Sequence, residues 1–255
     1  MRRFFVAAAF VMSAATAGAQ TDSTAVIVSD STQAPVRMNK AISAPGSLPR
    51  SGDHFMLQIG YLSWNGAPDS VKTGGLPRSF NAYLMFDFPF KTNPHLSVAL
   101  GPGIATDNMY FDKGSVEIAG LSSNLVFRDL SDTVHFKKYK LATAYAEVPV
   151  ELRFSSKPDD SRRSVKAALG IKVGTLLNAH TKGNNLVTST GGTLNDFKQK
   201  EYNKRYLNKQ RLSAMARVGI GHWSLFASYQ LTPLFRDGLA PTIRPLSIGL
   251  TLSGL

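Results

Sequence analysis

Charged side chains recur at alternate positions within otherwise apolar segments of the sequence. They are Glu147, Glu151, Arg153, Lys166, Lys172 and Arg217. Two-residue alternation is the period of a β-strand, so these side chains would all project from one face of a sheet. Facing strands would pair their opposite charges. The pattern predicts a charge network inside a closed sheet, where it could plug the interior or line a polar path. Plugging is favoured, because side chains can fill an eight-stranded interior.

A turn near Asp159 would fold two of these segments against each other. In that hairpin Glu151 would lie close to Lys166, and Glu147 close to Lys172. A buried carboxylate is costly unless a cation neutralises it, so loss of Lys172 would destabilise the barrel.

A second set of residues, both basic and aromatic, precedes the strand predicted to begin at Arg211. It comprises Lys198, Lys200, Tyr202, Lys204, Arg205, Tyr206 and Lys209. Rings stack on sugars and cations pair with phosphates, so this set predicts the binding of anionic headgroups or glycans. The same residues could instead extend a strand above a membrane and hold lipopolysaccharide phosphates without a dedicated task. The sequence leaves both alternatives open.

Residue types suited to catalysis or metal binding are present without the required spacing. The five histidines are scattered, and none forms a His-x-x-x-His pair. Ser131, Asp132 and His135 contain the residue types of a catalytic triad, yet no segment resembles a nucleophile elbow. The sequence therefore predicts no catalytic residues, no metal site and no cofactor.

Eight segments have the alternation of amphipathic strands. They are residues 54–64, 78–88, 95–105, 139–154, 164–177, 211–221, 223–231 and 246–252. Each has one apolar face, and their lengths are near the roughly 9 to 11 residues that cross a bilayer at a tilt. We expect an all-β fold, an eight-stranded antiparallel transmembrane β-barrel. Because Pro149 has no backbone N–H, it also predicts a β-bulge within its strand.

The connections between these segments alternate in length. Residues 89–94, 155–163 and 221–222 are short connections, and residues 65–77, 106–138, 179–210 and 232–242 are longer ones. Transmembrane barrels have short periplasmic turns and long extracellular loops. The alternation therefore predicts which end of the barrel faces outward.

The beginning of the chain has the three parts of a secretory signal peptide. Arg2 and Arg3 precede an apolar stretch, and small residues lead to Ala19. We expect cleavage after residue 19, with an uncleaved anchor as the alternative. Residues 20–51 would then form a flexible periplasmic leader, and residues 52–255 the barrel domain. The absence of cysteine excludes a lipid-anchored lipoprotein and disulfides.

The chain is strongly basic. It has 29 Lys+Arg against 17 Asp+Glu, and loss of Arg2 and Arg3 would leave 27 against 17, or +10. Such an excess suits anionic partners such as lipopolysaccharide, whereas export argues against nucleic acid. The alternative is that these charges only solvate loops.

The segment Tyr145-Ala146-Glu147-Val148-Pro149 resembles the Tyr-x-Glu-hydrophobic-Pro strand of the PorT-like porin-family barrels. Residues 96–103, which end Gly101-Pro102-Gly103, resemble the Gly-x-Gly strand end of that family. The resemblance covers roughly residues 51–255 and implies an outer-membrane barrel associated with secretion and gliding machinery. The architecture is also similar to the small OmpA and OmpX barrels. The last residues, Leu-Ser-Gly-Leu, depart from the terminal aromatic that such barrels usually carry for assembly.

These observations favour a non-enzymatic protein of the outer membrane. We expect a structural or accessory component of an envelope or secretion assembly. A small solute or ion pore is the alternative, and a lipid-modifying enzyme or protease comes third. The expected partners are outer-membrane lipids and lipopolysaccharide, the barrel assembly machinery and an envelope protein, with no nucleic acid.

Overall fold

The computed structural model describes residues 55–69, 71–160 and 162–254, so the predicted signal peptide and leader lie outside the described residues. Every strand pairing is antiparallel, which confirms the all-β prediction. No helix in the described part is long and apolar enough to cross a membrane. The strands are β1 (Phe55–Asn65), β2 (Arg78–Leu84), β3 (Phe86–Pro89), β4 (Leu96–Leu100), β5 (Gly103–Phe111), β6 (Gly114–Val116), β7 (Phe127–Asp129), β8 (His135–Ser155), β9 (Val165–Val187), β10 (Thr193–Tyr202), β11 (Gln210–Ile220), β12 (Trp223–Gln230) and β13 (Arg244–Ser253).

The main sheet closes on itself within the described residues. From β1 the pairing order is β2, β5, β8, β9, β11, β12 and β13, and β13 pairs again with β1. After an interruption at Met85, β3 continues the line of β2, and β4 precedes β5 across Gly101-Pro102. Closure gives every one of these strands two neighbours, so the ring has no open edge.

Alternating burial identifies the two faces of each strand. In β1 the Ile59 side chain is 61% exposed, whereas Gln58 beside it is fully buried. The same alternation places Glu147 inside and Val148 outside on β8. The facing predicted for the apolar residues is therefore confirmed in both strands. The outer surface is apolar and the interior is largely polar, the reverse of a water-soluble sheet with one buried face.

Two regions predicted as long loops contain paired strands. Within residues 106–138, β5 continues to Phe111 and β8 already begins at His135, while β6 and β7 form a separate hairpin. Within residues 179–210, β9 continues to Val187 and β10 follows. The prediction was wrong because the outward positions become polar here, which removes the apolar alternation although backbone pairing continues.

The predicted β-bulge lies elsewhere in the same strand pair. Pro149 is in register with Lys172, and the register instead shifts between Ala144 and Tyr145, where Leu177 of β9 is the extra residue. A bulge reverses which residues face outward. Odd-numbered residues of β9 face outward before Leu177, and even-numbered residues such as Lys182 do so after it.

Pro149 is accommodated without a bulge because of its second neighbour. On that side Gly103 pairs with Glu147 and Leu100 pairs with Val150. Pro149 thus lies opposite the interruption between β4 and β5, where the ladder is already broken. On that side no paired strand residue requires a backbone N–H from position 149, so proline costs no hydrogen bond there.

Glycine allows a large side chain to cross the interior. Gly60 of β1 pairs with Gly249 of β13, and a Cβ on Gly60 would lie 2.9 Å from the Phe226 ring and 2.7 Å from the Ser247 hydroxyl. Phe226 projects inward from β12 and is almost fully buried. The paired glycines therefore leave the space that this ring fills.

Candidate functional site

The structure brings most of the predicted charged residues together inside the ring. They form two clusters along the interior, one around Glu151 and one around Arg211, which contacts Glu147. Lys166 is the exception, because it pairs across the strands with Ser155 and Gly219, whereas Glu151 pairs with Gly170. The predicted contact between Lys166 and Glu151 is therefore absent, and Glu151 instead contacts Arg153 and Arg217. We call these two clusters the interior network.

The first cluster surrounds the buried carboxylate of Glu151. Arg153 Nε lies 2.7 Å from Glu151 Oε2, and Arg217 NH2 donates to the same oxygen at 2.9 Å. Arg153 NH1 also lies 3.7 Å from Asp87 Oδ1, which accepts a 2.7 Å hydrogen bond from the Ser97 hydroxyl. Two arginines from β8 and β11 are thus held by carboxylates from β8 and β3.

The second cluster is centred on Arg211. Its NH1 donates to Asp107 Oδ2 at 2.7 Å, its Nε lies 3.3 Å from Glu147 Oε1, and its guanidinium lies 4.8 Å from the Tyr145 ring centroid. The Tyr83 hydroxyl donates to Glu147 Oε2 at 2.7 Å. The partners come from β2, β5, β8 and β11, so the contacts span the interior. Lys172 is buried two positions along β9 from Gly174, the residue that pairs with Glu147, so both side chains lie on the inward face.

The buried charges of the described residues cancel. They comprise four carboxylates and four cations, Asp87, Asp107, Glu147, Glu151, Arg153, Lys172, Arg211 and Arg217. The net charge of +12 therefore lies outside the interior network. Neutralisation offsets the large cost of removing ions from water.

Several members of the interior network were absent from the predicted set. Alternation alone places Tyr83, Asp87 and Arg211 on inward faces, but it cannot show which side chain each meets across the interior. Asp107 was assigned to a loop, because the apolar alternation stops before it. Their partners depend on how strands distant in sequence are aligned with one another. The residue pattern of a single strand carries no information about that alignment.

An apolar cluster fills the end of the ring from which the longer connections emerge. The Trp64 ring packs edge to face against Phe111 at 5.6 Å and against Phe235 at 5.9 Å between centroids. We call this cluster the apolar cap. Its buried members are Leu62, Trp64, Ala105, Met109, Phe111, Val116, Ile118, Leu125, Tyr139, Leu141, Tyr145, Leu176, Ala179, Tyr206, Leu207, Leu234, Phe235 and Ile243.

Tyr206 belongs to the apolar cap and is not an exposed part of the predicted headgroup site. Its side chain is fully buried, and its hydroxyl donates to the carbonyl oxygens of Gly120 and Ser122. The sequence placed it among surface cations because Lys204 and Arg205 precede it. The backbone turns inward after those two residues. The buried Tyr206 side chain therefore anchors the connection between β10 and β11 to the connection between β6 and β7.

Tyr206→Phe is expected to lower the free energy of unfolding by about 0.5 to 1.5 kcal/mol, because the buried ring loses the hydroxyl that donates to the Gly120 and Ser122 carbonyl oxygens. Urea unfolding in detergent measures the change. Tyr202→Phe is the matched control, since the Tyr202 side chain is 60% exposed. Equal stability of the two variants would contradict the anchoring role of Tyr206.

The other members of the predicted basic set remain at the surface. Lys198, Lys200 and Tyr202 lie on β10, which pairs with the end of β9. Lys204, Arg205 and Lys209 lie between β10 and β11 and are exposed. Lys198, Lys200 and Tyr202 therefore extend the sheet beyond the ring, as one of the two alternatives expected. Together with residues 135–144 of β8 and 178–187 of β9, β10 forms what we call the sheet extension.

The residue types of the catalytic triad do not assemble. The Ser131 hydroxyl donates to Asp129, and His135 Nδ1 lies 2.9 Å from the Thr133 carbonyl oxygen. Hydrogen bonds from Ser131 and Lys72 lower the pKa of Asp129 to about 2, so this carboxylate is ionised at neutral pH. Within the described residues, no three His, Cys, Asp or Glu side chains are grouped so as to hold a metal ion.

Comparison with solved structures finds Ail, the attachment invasion locus protein of Yersinia pestis. In the crystal structure of its complex with the heparin analogue sucrose octasulfate, it is 16% identical with a TM-score of 0.33. A second Ail crystal structure is 14% identical with a TM-score of 0.30. Each match covers 80% of this chain and 98% of Ail.

Comparison with curated protein sequences gives no significant match. A family model described as the outer membrane protein β-barrel domain matches residues 55–236, from the start of β1 to beyond β12. The matched region contains all but one strand of the closed ring. The narrower PorT-like resemblance stays a prediction. The chain belongs to the outer membrane protein β-barrel domain family.

Proposed function

We propose that this protein is a non-enzymatic, non-conducting outer-membrane barrel that serves as an accessory component of an envelope or secretion assembly. The observation that carries the proposal is the filled interior. Glu151 and Lys172 have 0% and 1% of their surface exposed, and the apolar cap covers the interior network. A barrel of this kind offers surfaces to partners and no path for solutes.

Its placement in a bilayer is supported by the outer surface of the ring. Large apolar side chains point away from the interior on successive strands, among them Ile59, Leu169, Trp223 and Ile248, each more than half exposed. A contiguous apolar exterior of this extent is unfavourable in water and favourable in lipid. We propose that the short connections face the periplasm and that a cleaved signal peptide directs export.

The non-conducting assignment is supported by the strength of the buried contacts. A hydrated pore screens its wall charges, whereas the interior network holds Arg211 and Arg217 directly against carboxylates at 2.7 and 2.9 Å. Opening a path would require breaking these contacts and moving the apolar cap as well. A small solute or ion pore is therefore the less favoured function.

Purified protein in planar lipid bilayers is expected to give no conductance steps. Heat-modifiable mobility on gels would verify that the barrel is folded in the same preparation. Pull-down from intact envelopes after cross-linking should recover a stoichiometric protein partner. Reproducible ion flow from folded protein would instead support the pore, and the absence of both flow and partner would contradict the accessory role.

A further inference from the structure

Lysines form a continuous row across the sheet extension. Lys140 of β8 pairs with Lys182 of β9, and Lys182 pairs with Lys200 of β10. In the next row, Lys138 and Lys198 flank Asn184. Directly opposed side chains have Cβ atoms about 4.5 to 5.5 Å apart, and residues two apart share a face. Five cations therefore occupy adjacent positions on one surface.

All five lysines face away from the apolar cap. The opposite face of the extension carries buried residues such as Tyr139, Leu141 and Thr181. Gln199 and Glu201 also lie on that inward side, where they line a pocket with Glu117. Glu117 and Glu201 are thus separated from the lysines by the sheet itself. Asp112 is the acidic residue that lines the groove on the lysine face, together with Lys138 and Lys182.

The lysine rows have no ion-pair partners among the described residues, although Lys140 Nζ donates to Asn108 Oδ1 at 2.6 Å. Like charges directly opposite each other destabilise a sheet. Burial and the charges of Lys200 and Arg78 lower the pKa of Lys140, and burial and the charges of Lys200, Lys140 and Lys182 lower that of His180. The lysines of this surface therefore repel one another, and a bound anion would reduce that repulsion.

The bulge at Leu177 is what brings Lys182 into this row. Without the extra residue, even-numbered positions of β9 would continue to face inward, as Lys172 does. The register shift therefore moves a lysine from the barrel interior to its outer surface. Its strand neighbours on both sides are lysines at the same level.

The height of the row matches a headgroup layer. Ala142 of β8 is the last small apolar residue on the face of Lys140, and Lys140 lies two positions further along the strand. At about 3.3 Å per residue and a tilt of about 40°, this separation corresponds to about 5 Å along the membrane normal. A groove of about 460 Å³ lies on this face, lined in part by Arg78, Tyr110, Lys138 and Lys182.

We propose that the outward face of the sheet extension binds the phosphorylated sugar headgroup of an outer-leaflet glycolipid, with Lys140, Lys182 and Lys200 contacting its phosphate. The groove accommodates the sugar, and Tyr110 offers a ring for it to stack on. The inference rests on the proposed membrane placement but not on the absence of conductance. It assigns the binding surface to three strands, of which the sequence had indicated only β10.

The test measures retention of lipid A by detergent-purified protein, with phosphorylated and dephosphorylated lipid A as probes. The site variant is Lys140→Gln/Lys182→Gln/Lys200→Gln, and the control is Lys91→Gln/Lys157→Gln/Arg163→Gln, which removes the same charge from exposed residues of the short connections. We expect the site variant to lose affinity for phosphorylated lipid A by about tenfold or more, since each basic residue near an anionic surface contributes measurably. The control should bind as the wild type does.

A charge-conserving variant is the control for a folding defect in the site variant. Lys140→Arg/Lys182→Arg/Lys200→Arg should retain the binding, and heat-modifiable mobility should be normal in all three variants. The proposal is overturned if the site variant binds like the control, or if dephosphorylated lipid A binds as tightly as the phosphorylated form. Displacement of the lipid by low millimolar inorganic phosphate would identify free phosphate as the ligand and would overturn the lipid assignment.

Discussion

Arg211→Met is expected to lower the free energy of unfolding by about 3 to 5 kcal/mol, because it removes the cation that neutralises two buried carboxylates. Asp107 and Glu147 lie 2.7 and 3.3 Å from the Arg211 guanidinium, and its side chain is 4% exposed. Methionine would fill much of the volume without supplying charge. Urea unfolding in detergent measures the loss.

The double variant Arg211→Met/Glu147→Gln is expected to recover part of that stability. Neutralising Glu147 removes one of the two orphaned charges, so the effects of the two substitutions should be non-additive by about 1 kcal/mol or more. Arg205→Met is the matched control, since Arg205 is exposed, and it should change stability by less than about 0.5 kcal/mol. Additive stabilities together with altered ion selectivity would show a wide, hydrated interior and would contradict the plugged barrel.

Alternation in single strands predicted the facing of the barrel residues. In β1 and β8 every second side chain meets the same environment, so local sequence carries the information about whether Ile59 or Val148 points outward. The placement of Glu147 and Lys172 at neighbouring inward positions could also be predicted, because one short turn joins their strands. The contact of Arg211 with Asp107 could not be predicted in this way, since these two residues are 104 positions apart in sequence.

The surface beyond the apolar band was harder to predict. Once outward positions become Lys138, Lys140 or Lys182, strands and loops have similar polar composition, and only backbone pairing distinguishes them. The single-residue shift at Leu177 then reverses the facing of β9. Tyr206 was assigned to the surface for a related reason, because the composition of its neighbours does not show that the backbone turns inward.

Leu169→Arg is expected to impair barrel assembly severely and to lower stability by about 2 to 4 kcal/mol, the cost of a cation near the bilayer midplane. Leu169 lies in the middle of the ring portion of β9, between Leu152 of β8 and Ala216 of β11, and its side chain is 67% exposed. Heat-modifiable mobility and urea unfolding in lipid vesicles measure assembly and stability separately.

Two controls separate membrane placement from other effects of this substitution. Ala168→Ser changes the adjacent inward position, where Arg217 pairs across the strands, and a hydroxyl should be tolerated among polar neighbours. Leu169→Ala removes the side chain without adding charge, so it should assemble nearly as well as the wild type. In water an exposed arginine would be preferred to an exposed leucine. Normal folding and unchanged membrane recovery of Leu169→Arg would therefore show that this face does not contact lipid, and the placement of the barrel in the bilayer would be wrong.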